Sequence, residues 1–208
     1  PGAEAVAQCQ DRITEKQFLA SAGVDTVRWA AIRNEADLAT AWDAVSAESA
    51  ILKTARLGYD GKGQVVIPGR AALPAAWHAL HRAPCILEER VVLAHEVAVM
   101  VARGADGATA TWPVGENVHV NGILHTTVVP ASGDAAIVAD ARAAAERIVA
   151  ALDYVGVMGV ECFVTTDGAL LVNELAPRPH NSGHWTLDAS RTSQFEQQVR
   201  IVAGLPLG

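Results

Sequence analysis

Two glutamates near the C-terminal end of the chain are spaced to face each other across a hairpin. In residues 157–175, Asp167-Gly168 is a favoured two-residue turn between strands of alternating apolar residues. Counting back from that turn pairs Thr166 with Ala169, Phe163 with Val172, and Glu161 with Glu174. Like charges directly opposite each other destabilise a sheet. The pair is therefore expected to hold a cation, and hard carboxylate oxygens suit magnesium. A register slip of one residue would instead send one glutamate to the opposite face. On a regular strand Asn173 faces away from Glu174; if the strand ends there, its amide turns inward as a further ligand.

The segment after Glu174 runs Leu-Ala-Pro-Arg178-Pro-His180-Asn181-Ser-Gly-His184-Trp185, dense in polar groups between two prolines and a glycine. His180 and His184 have the i, i+4 spacing of zinc ligands on a helix, but Pro179 and Gly183 oppose a helix and no thiol or third histidine is near. Arg178, His180 and Asn181 better suit an anionic, hydrogen-bonding substrate beside the metal.

A second cluster lies earlier. Gly58, Tyr59, Asp60, Gly61, Lys62, Gly63 and Gln64 form a loop between two strands, where glycine lets backbone N–H groups approach a phosphate and Lys62 adds charge. The pattern is neither a Walker loop nor a dinucleotide fingerprint, and it also fits an ordinary hairpin turn. Lys53, in Ala-Ile-Leu-Lys, reads either as a snorkelling edge lysine or as a strand lysine reaching nucleotide phosphates. Glu88, Glu89, Arg90 and Val91 end an apolar strand. They are either a solvated strand end or the joint between two lobes, with backbone groups on an adenine edge and a carboxylate on ribose hydroxyls.

The elements that must position these groups are legible in outline. Expected helices cover 11–22, stopped by Gly23; 34–47, opened by Asn34; 70–81; 134–152; and 193–202. Expected strands cover 26–32, 49–54, 65–67, 84–89, 97–103, 108–114 and 123–129, besides the hairpin. Helices and strands mix without regular βαβ alternation, so the fold class is α+β: a small α+β lobe over 11–90 and a larger sheet-plus-helix lobe over 91–208. Residues 1–10 read as a linker. The opening Pro1-Gly2 and closing Gly-Leu-Pro-Leu-Gly read as cuts at linkers within a longer protein.

A formal charge of −7 without a Lys/Arg stripe argues against broad nucleic-acid binding. No apolar run nears the ~20 residues that span a bilayer, so no membrane partner is expected. Cys9, Cys85 and Cys162, far apart and without CxxC, fit reduced thiols in the cytoplasm, with Cys162 a small buried hydrophobe.

Together the strand lysine, the glycine loop, the inter-lobe acidic segment and the paired glutamates resemble an ATP-grasp enzyme. Within that superfamily the chain is similar to the 5-(carboxyamino)imidazole ribonucleotide synthases. The motifs are Asp11-Arg12…Lys16, Lys53, GYDGKGQ, EERV…Glu96, GENVHVNGIL, YVGVMGVECF and NELAPRPHNSGHWT…SQFEQ, which cover nearly the whole chain.

The resemblance implies an ATP-grasp fold with the nucleotide between two lobes. It also implies ATP-dependent carboxylation of aminoimidazole ribonucleotide by bicarbonate, through carboxyphosphate, in purine biosynthesis. Arg12, Lys53 and loop residues Gly58, Tyr59, Asp60, Gly61, Lys62, Gly63 and Gln64 would hold the ATP phosphates. Glu88, Glu89, Arg90, Val91, Glu96 and His119 would form the adenosine side, and Asn173 with Glu174 would close the site near the γ-phosphate. Glu161 and Glu174 would hold magnesium. Tyr59, Asp60, Arg178, His180 and Asn181 would meet the bicarbonate-derived group and the ribonucleotide, with Tyr59, Asp60, Arg178 and His180 as catalytic residues. The glycine loop is the expected lid. The family also implies flanking N- and C-terminal domains that this chain lacks, and a homodimer at full length. A formate- or amino-acid-using ATP-grasp ligase and an inactive nucleotide-binding fragment are the alternatives.

Overall fold

The computed structural model describes residues 1–208 except Ser46, Tyr59, Asp60, Gly61 and Asn121. Two antiparallel sheets organise it. The first has strands β1 (Trp29–Ile32), β2 (Ala50–Thr54), β3 (Gln64–Ile67) and β4 (Cys85–Glu89), in the order β1-β4-β2-β3. Alternation along β2 decides what each residue faces. Leu52 joins a core with Ile32, Ile67, Leu87 and the apolar stripes of helices α3 (Asp37–Val45) and α4 (Leu73–Ala79). Ile51 and Lys53 point the other way, into a cavity.

The second sheet is built on β5 (Leu93–Arg103), flanked by β9 (Gly156–Thr165) and, on its other side, by β6 (Thr109–Thr111) and β7 (Gly115–Val120). β8 (Ile123–Val128) and β10 (Leu170–Ala176) form its edges. Helix α5 (Ala135–Ala151) presents Ala141, Ala145, Ile148 and Val149 to one face, where they meet Val97, Val99, Val101, Met158, Val160, Cys162 and Val164. The other face is divided. Near one end Met100, Ala102 and Val157 pack with Ile201 of helix α7 (Gln194–Val202), while farther along Glu96, Glu161 and Phe163 line the cavity. The period of two thus places a carboxylate face directly behind a valine-rich core.

The expected α+β mixture is present, with differences in detail. Residues 1–10, read as a linker, contain helix α1 (Ala3–Cys9), and helix α2 (Arg12–Ser21) follows with Asp11 accepting from Ile13 N–H as its N-cap. Ala5, Leu19 and Val24 pack into the core of the second sheet rather than the first. β7, with its Gly, Glu and Asn, lacks an apolar run and is absent from the sequence reading; pairing to β5 and β8 on both edges forms it. The helix expected at 34–47 starts later, because the Asn34 side chain accepts from Ala36 N–H in a turn of its own. Cys9, Cys85 and Cys162 are free thiols. Burial pushes the Cys162 thiol up to about 12, as suits a small apolar filler. Among the described residues no helix is long and apolar enough to cross a membrane.

Candidate active site

Glu161 and Glu174 are cross-strand partners on β9 and β10, but not by the counting that paired them. The turn is one residue longer than Asp-Gly suggests. Thr165 N–H bonds Ala169 O at 3.0 Å, Gly168 takes φ +86°, and the Thr165 hydroxyl is bound to the Asp167 carboxylate. This is a three-residue loop with glycine in the left-handed position. Phe163 therefore pairs with Leu171, not with Val172, and Cys162 pairs with Val172. A bulge between Val172 and Glu174 then restores the lost residue. The bulge has a chemical result: Asn173 and Glu174 both line the cavity, where a regular strand would have turned one of them away.

The two carboxylates differ in environment. Burial opposes ionisation of Glu174, but Arg12, whose Nη1 donates to Glu174 Oε2 at 2.8 Å, holds it below the ordinary carboxylate range. Glu161 has no such partner. Burial, and then the charge of Glu174, push it up to about 7. Its carboxyl group lines the cavity beside Glu174. Among the described residues no group of three His, Cys, Asp or Glu side chains is placed to cage a metal. Two carboxylates with the remaining ligands from water and phosphate is the arrangement magnesium commonly takes, so the donor set fits that ion.

The cavity, of about 280 Å³, lies between the sheets. Arg12 from α2, Lys53 from β2 and Lys62 from the glycine loop bring positive charge to its lining, Arg12 beside Glu174. Lys53 is buried and held by Glu88 Oε2 at 2.5 Å, while Glu88 Oε1 takes Lys16 at 3.3 Å. Burial works against ionisation of Glu88, but the two ammonium groups outweigh it and bring it to about 2. This revises the expected place of Glu88: its side chain is 2% exposed and spent on two lysines, so it does not face the cavity. Glu89 is likewise engaged by a bidentate pair with Arg28, and Arg90 and Val91 lie outside the cavity lining on the passage to β5. Ile51, Leu93, Leu124 and Phe163 give apolar walls. At the far side His119 Nδ1 stands 3.1 Å from Glu96 Oε2, which raises its imidazolium above the ordinary range.

Of the glycine loop, Gly58, Lys62 and Gln64 line this cavity. Gly63 does not: it borders a neighbouring, more apolar hollow with Thr54 and Leu80. Glycine is required there, since φ is +75° and a Cβ would lie 2.6 Å from Thr54 Oγ1. Tyr59, Asp60 and Gly61 lie outside the described residues.

The stretch after β10 brings His180 and Asn181 into the cavity. Gln194 of α7, fully buried, holds the His180 backbone from both sides: His180 N–H donates to Oε1 at 2.8 Å, and Nε2 donates to His180 O at 2.7 Å. The ring packs where Gly159 lacks a side chain; a Cβ there would lie 2.8 Å from His180 Cβ. His180 Nε2 stands 3.4 Å from Glu161 Oε1. Burial, then nearby Arg178, push the imidazolium down to about 4, so the ring is neutral at neutral pH. Arg178 itself lines an adjoining hollow with Arg12, Gly58 and Glu174. Sequence reasoning gave no role to Gln194 or Gly159, although they fall within the motifs SQFEQ and YVGVMGVECF, because what they do depends on His180, 14 and 21 residues away. Lys16 carried a motif signal but no assigned contact.

Residues 17–195 match the ATP-grasp domain family. The N5-carboxyaminoimidazole ribonucleotide synthase of Brucella melitensis is 51% identical over 201 residues, covering 96% of this chain and 55% of that protein. The Bacillus subtilis protein of the same name is 45% identical over 207 residues, covering 100% and 54%. A solved ADP complex of an N5-carboxyaminoimidazole ribonucleotide synthetase superposes with a TM-score of 0.93 at 43% identity, covering 100% of this chain and 55% of that one. An Aspergillus clavatus N5-carboxyaminoimidazole synthase, solved with ADP and 5-aminoimidazole ribonucleotide, gives 0.91 at 28% identity, covering 100% and 54%. The chain spans about half the length of the curated relatives it matches.

Proposed function

The chain belongs to the ATP-grasp family, and on that premise we propose that it carries the site of an ATP-dependent ligase that carboxylates 5-aminoimidazole ribonucleotide with bicarbonate. The observation that carries this reading is one cavity lined by three cationic side chains and by the Glu161–Glu174 pair, with Arg12 seated on Glu174. That is the layout a nucleotide triphosphate and its metal require.

Arg12, Lys53, Gly58, Lys62 and Gln64, with Tyr59, Asp60 and Gly61 of the same loop, hold the phosphates, and Gly63 supplies the turn that returns the loop to β3. Ile51, Leu93, Leu124 and Phe163 enclose the base, while Glu96 and His119 take the ribose side together with the backbone from Glu88 to Val91. The Glu88 side chain contributes indirectly by fixing Lys53. When bound, magnesium between Glu161 and Glu174 supplies positive charge beside the phosphoryl group in transit. Asn173, whose Oδ1 lies 3.5 Å from Lys53 Nζ, closes the site near the γ-phosphate.

A bicarbonate oxygen attacks the γ-phosphorus, ADP leaves, and carboxyphosphate results. The exocyclic amine then attacks the carboxyl carbon and phosphate departs. Arg178, His180 and Asn181, with Tyr59 and Asp60, bind the anionic carboxyl group and the ribonucleotide. Orientation and charge stabilisation supply most of the acceleration, because phosphoryl transfer needs little covalent help from protein. The glycine loop shields carboxyphosphate from water.

We divide the chain into lobes at 11–90 and 91–208, with α2 bridging them, and place the protein in the cytoplasm as a homodimer at full length. Three free cysteines support the reducing compartment; the family resemblance supports the dimer. The test is ADP release by the full-length protein with ATP and magnesium. A rise that needs bicarbonate and 5-aminoimidazole ribonucleotide together is expected. An equal rise with formate or an amino acid in place of bicarbonate would overturn the assignment.

A further inference from the structure

We propose that Asn117 and Ser182 are positioning residues that fix His180 with its proton on Nε2, facing the cavity, so that it donates a hydrogen bond and cannot serve as the base in the reaction. The exclusion of a base role rests on the carboxylation reading above; the position of the proton does not.

The argument starts from a group whose direction is beyond choice. The backbone N–H of Ser182 donates to His180 Nδ1 at 3.3 Å, as the cap of the short 3₁₀ turn Asn181–Gly183. A backbone N–H can only donate, so Nδ1 must present a lone pair. The Ser182 hydroxyl is 3.2 Å from the same nitrogen and must point its hydrogen there too. That leaves the hydroxyl oxygen to accept, and Asn117 Nδ2 donates to it at 2.8 Å. The other end of that amide, Oδ1, accepts from Thr127 Oγ1 at 2.9 Å, across the β7–β8 pair. With Asn117 Nδ2 as the donor, the chain Thr127 to Asn117 to Ser182 to His180 runs one way, and it ends on the same Nδ1 that the Ser182 N–H requires to be an acceptor.

Asn117, Ser182 and His180 are buried, at 4%, 2% and 8% exposed, and Thr127 is half-buried. A neutral imidazole with its lone pair on Nδ1 carries hydrogen on Nε2, the atom 3.4 Å from Glu161 Oε1. From there His180 can stabilise an anionic oxygen of a bound carboxyl group. It has no lone pair on the cavity side with which to accept the amine's proton.

The chain labelled with ¹⁵N-histidine gives the answer by NMR, with the His180 ring signals identified by their loss in His180→Gln. Protonated Nε2 and unprotonated Nδ1 are expected; a protonated Nδ1, or an even mixture, would overturn the inference whatever the turnover. Asn117→Asp replaces the donor to Ser182 by an acceptor. It is expected to raise the Nδ1–H fraction and lower kcat of the full-length protein by about tenfold to a hundredfold, with KM for ATP within about twofold. If that variant does not fold, Ser182→Ala, which loses only the hydroxyl donor, is expected to move the same signals less far. Ring signals unmoved in the folded variant would overturn the role given to Asn117 and Ser182. Absent carboxylation by the full-length wild type, with Nε2 protonated, would overturn the proposed function and not the proton's position.

Discussion

The ammonium group of Lys16 donates to the carbonyl oxygen of Asn173 at 2.9 Å, at the bulge that turns both Asn173 and Glu174 into the cavity. The same nitrogen reaches Val172 O and Glu88 Oε1, each at 3.3 Å. One side chain of helix α2 thus ties the irregular part of β10 to the carboxylate that holds Lys53. A bulge leaves backbone carbonyls outside the ladder, and a buried carbonyl needs a donor. Lys16 supplies it.

Lys16→Met removes that donor and one partner of buried Glu88. Breaking a buried ion pair from one side costs about 3–5 kcal/mol. A lower urea midpoint with an unchanged slope is expected, and an unaltered midpoint would show that the bulge holds itself.

Lys53→Met leaves Glu88 paired with Lys16 but takes a charge from the cavity. Hydrogen bonds to charged groups contribute about 1.5–3 kcal/mol, or about tenfold to a hundredfold in affinity. Calorimetric titration with ATP should show a loss of that size, together with a fall in stability like that of Lys16→Met, since the shorter pair with buried Glu88 is broken.

How far these residues were legible depends on where their partners lie. The amphipathic run over 11–22, stopped by Gly23, announced α2, and alternation around Asp167-Gly168 announced β9 and β10, because those signals sit within a few residues. The Glu161–Glu174 pairing was legible only through two errors that cancel: a turn taken one residue too short and a bulge taken as regular strand. Neither error is visible locally, since Asp-Gly suits both turn lengths and the bulge is braced by a lysine 156 positions away from Val172. The partners of the Glu88 side chain were not legible for a similar reason. Its two lysines come from different elements, and no spacing rule connects them.

Glu15, next to Lys16, gives a pH signature. Burial, offset in part by Lys16, pushes its carboxyl up to about 8; one oxygen accepts from Leu175 N–H and the other has no hydrogen-bond partner among the described residues. Between about 4.5 and 8 the folded protein keeps a proton that the unfolded chain has released. Stability from this group is therefore complete below that window and falls as pH rises through it. The parent should lose melting temperature from pH 5 to 8.5 more steeply than Glu15→Gln, and parallel curves would contradict the assignment.

Gly159→Ala tests the seat of His180. The added Cβ would lie 2.8 Å from His180 Cβ, with the histidine backbone clamped by Gln194. Overpacking of about 1–3 kcal/mol is expected, together with a fall in kcat larger than any change in KM for ATP. A fully active variant of unchanged stability would show that the ring can move aside.

The most direct measurement is a crystal structure of the chain with magnesium and a non-hydrolysable ATP analogue. The account requires the phosphates against Arg12 and Lys53, and one metal ion within about 2.0–2.1 Å of oxygens from both Glu161 and Glu174. A nucleotide bound elsewhere, or a metal that touches neither glutamate, would contradict it.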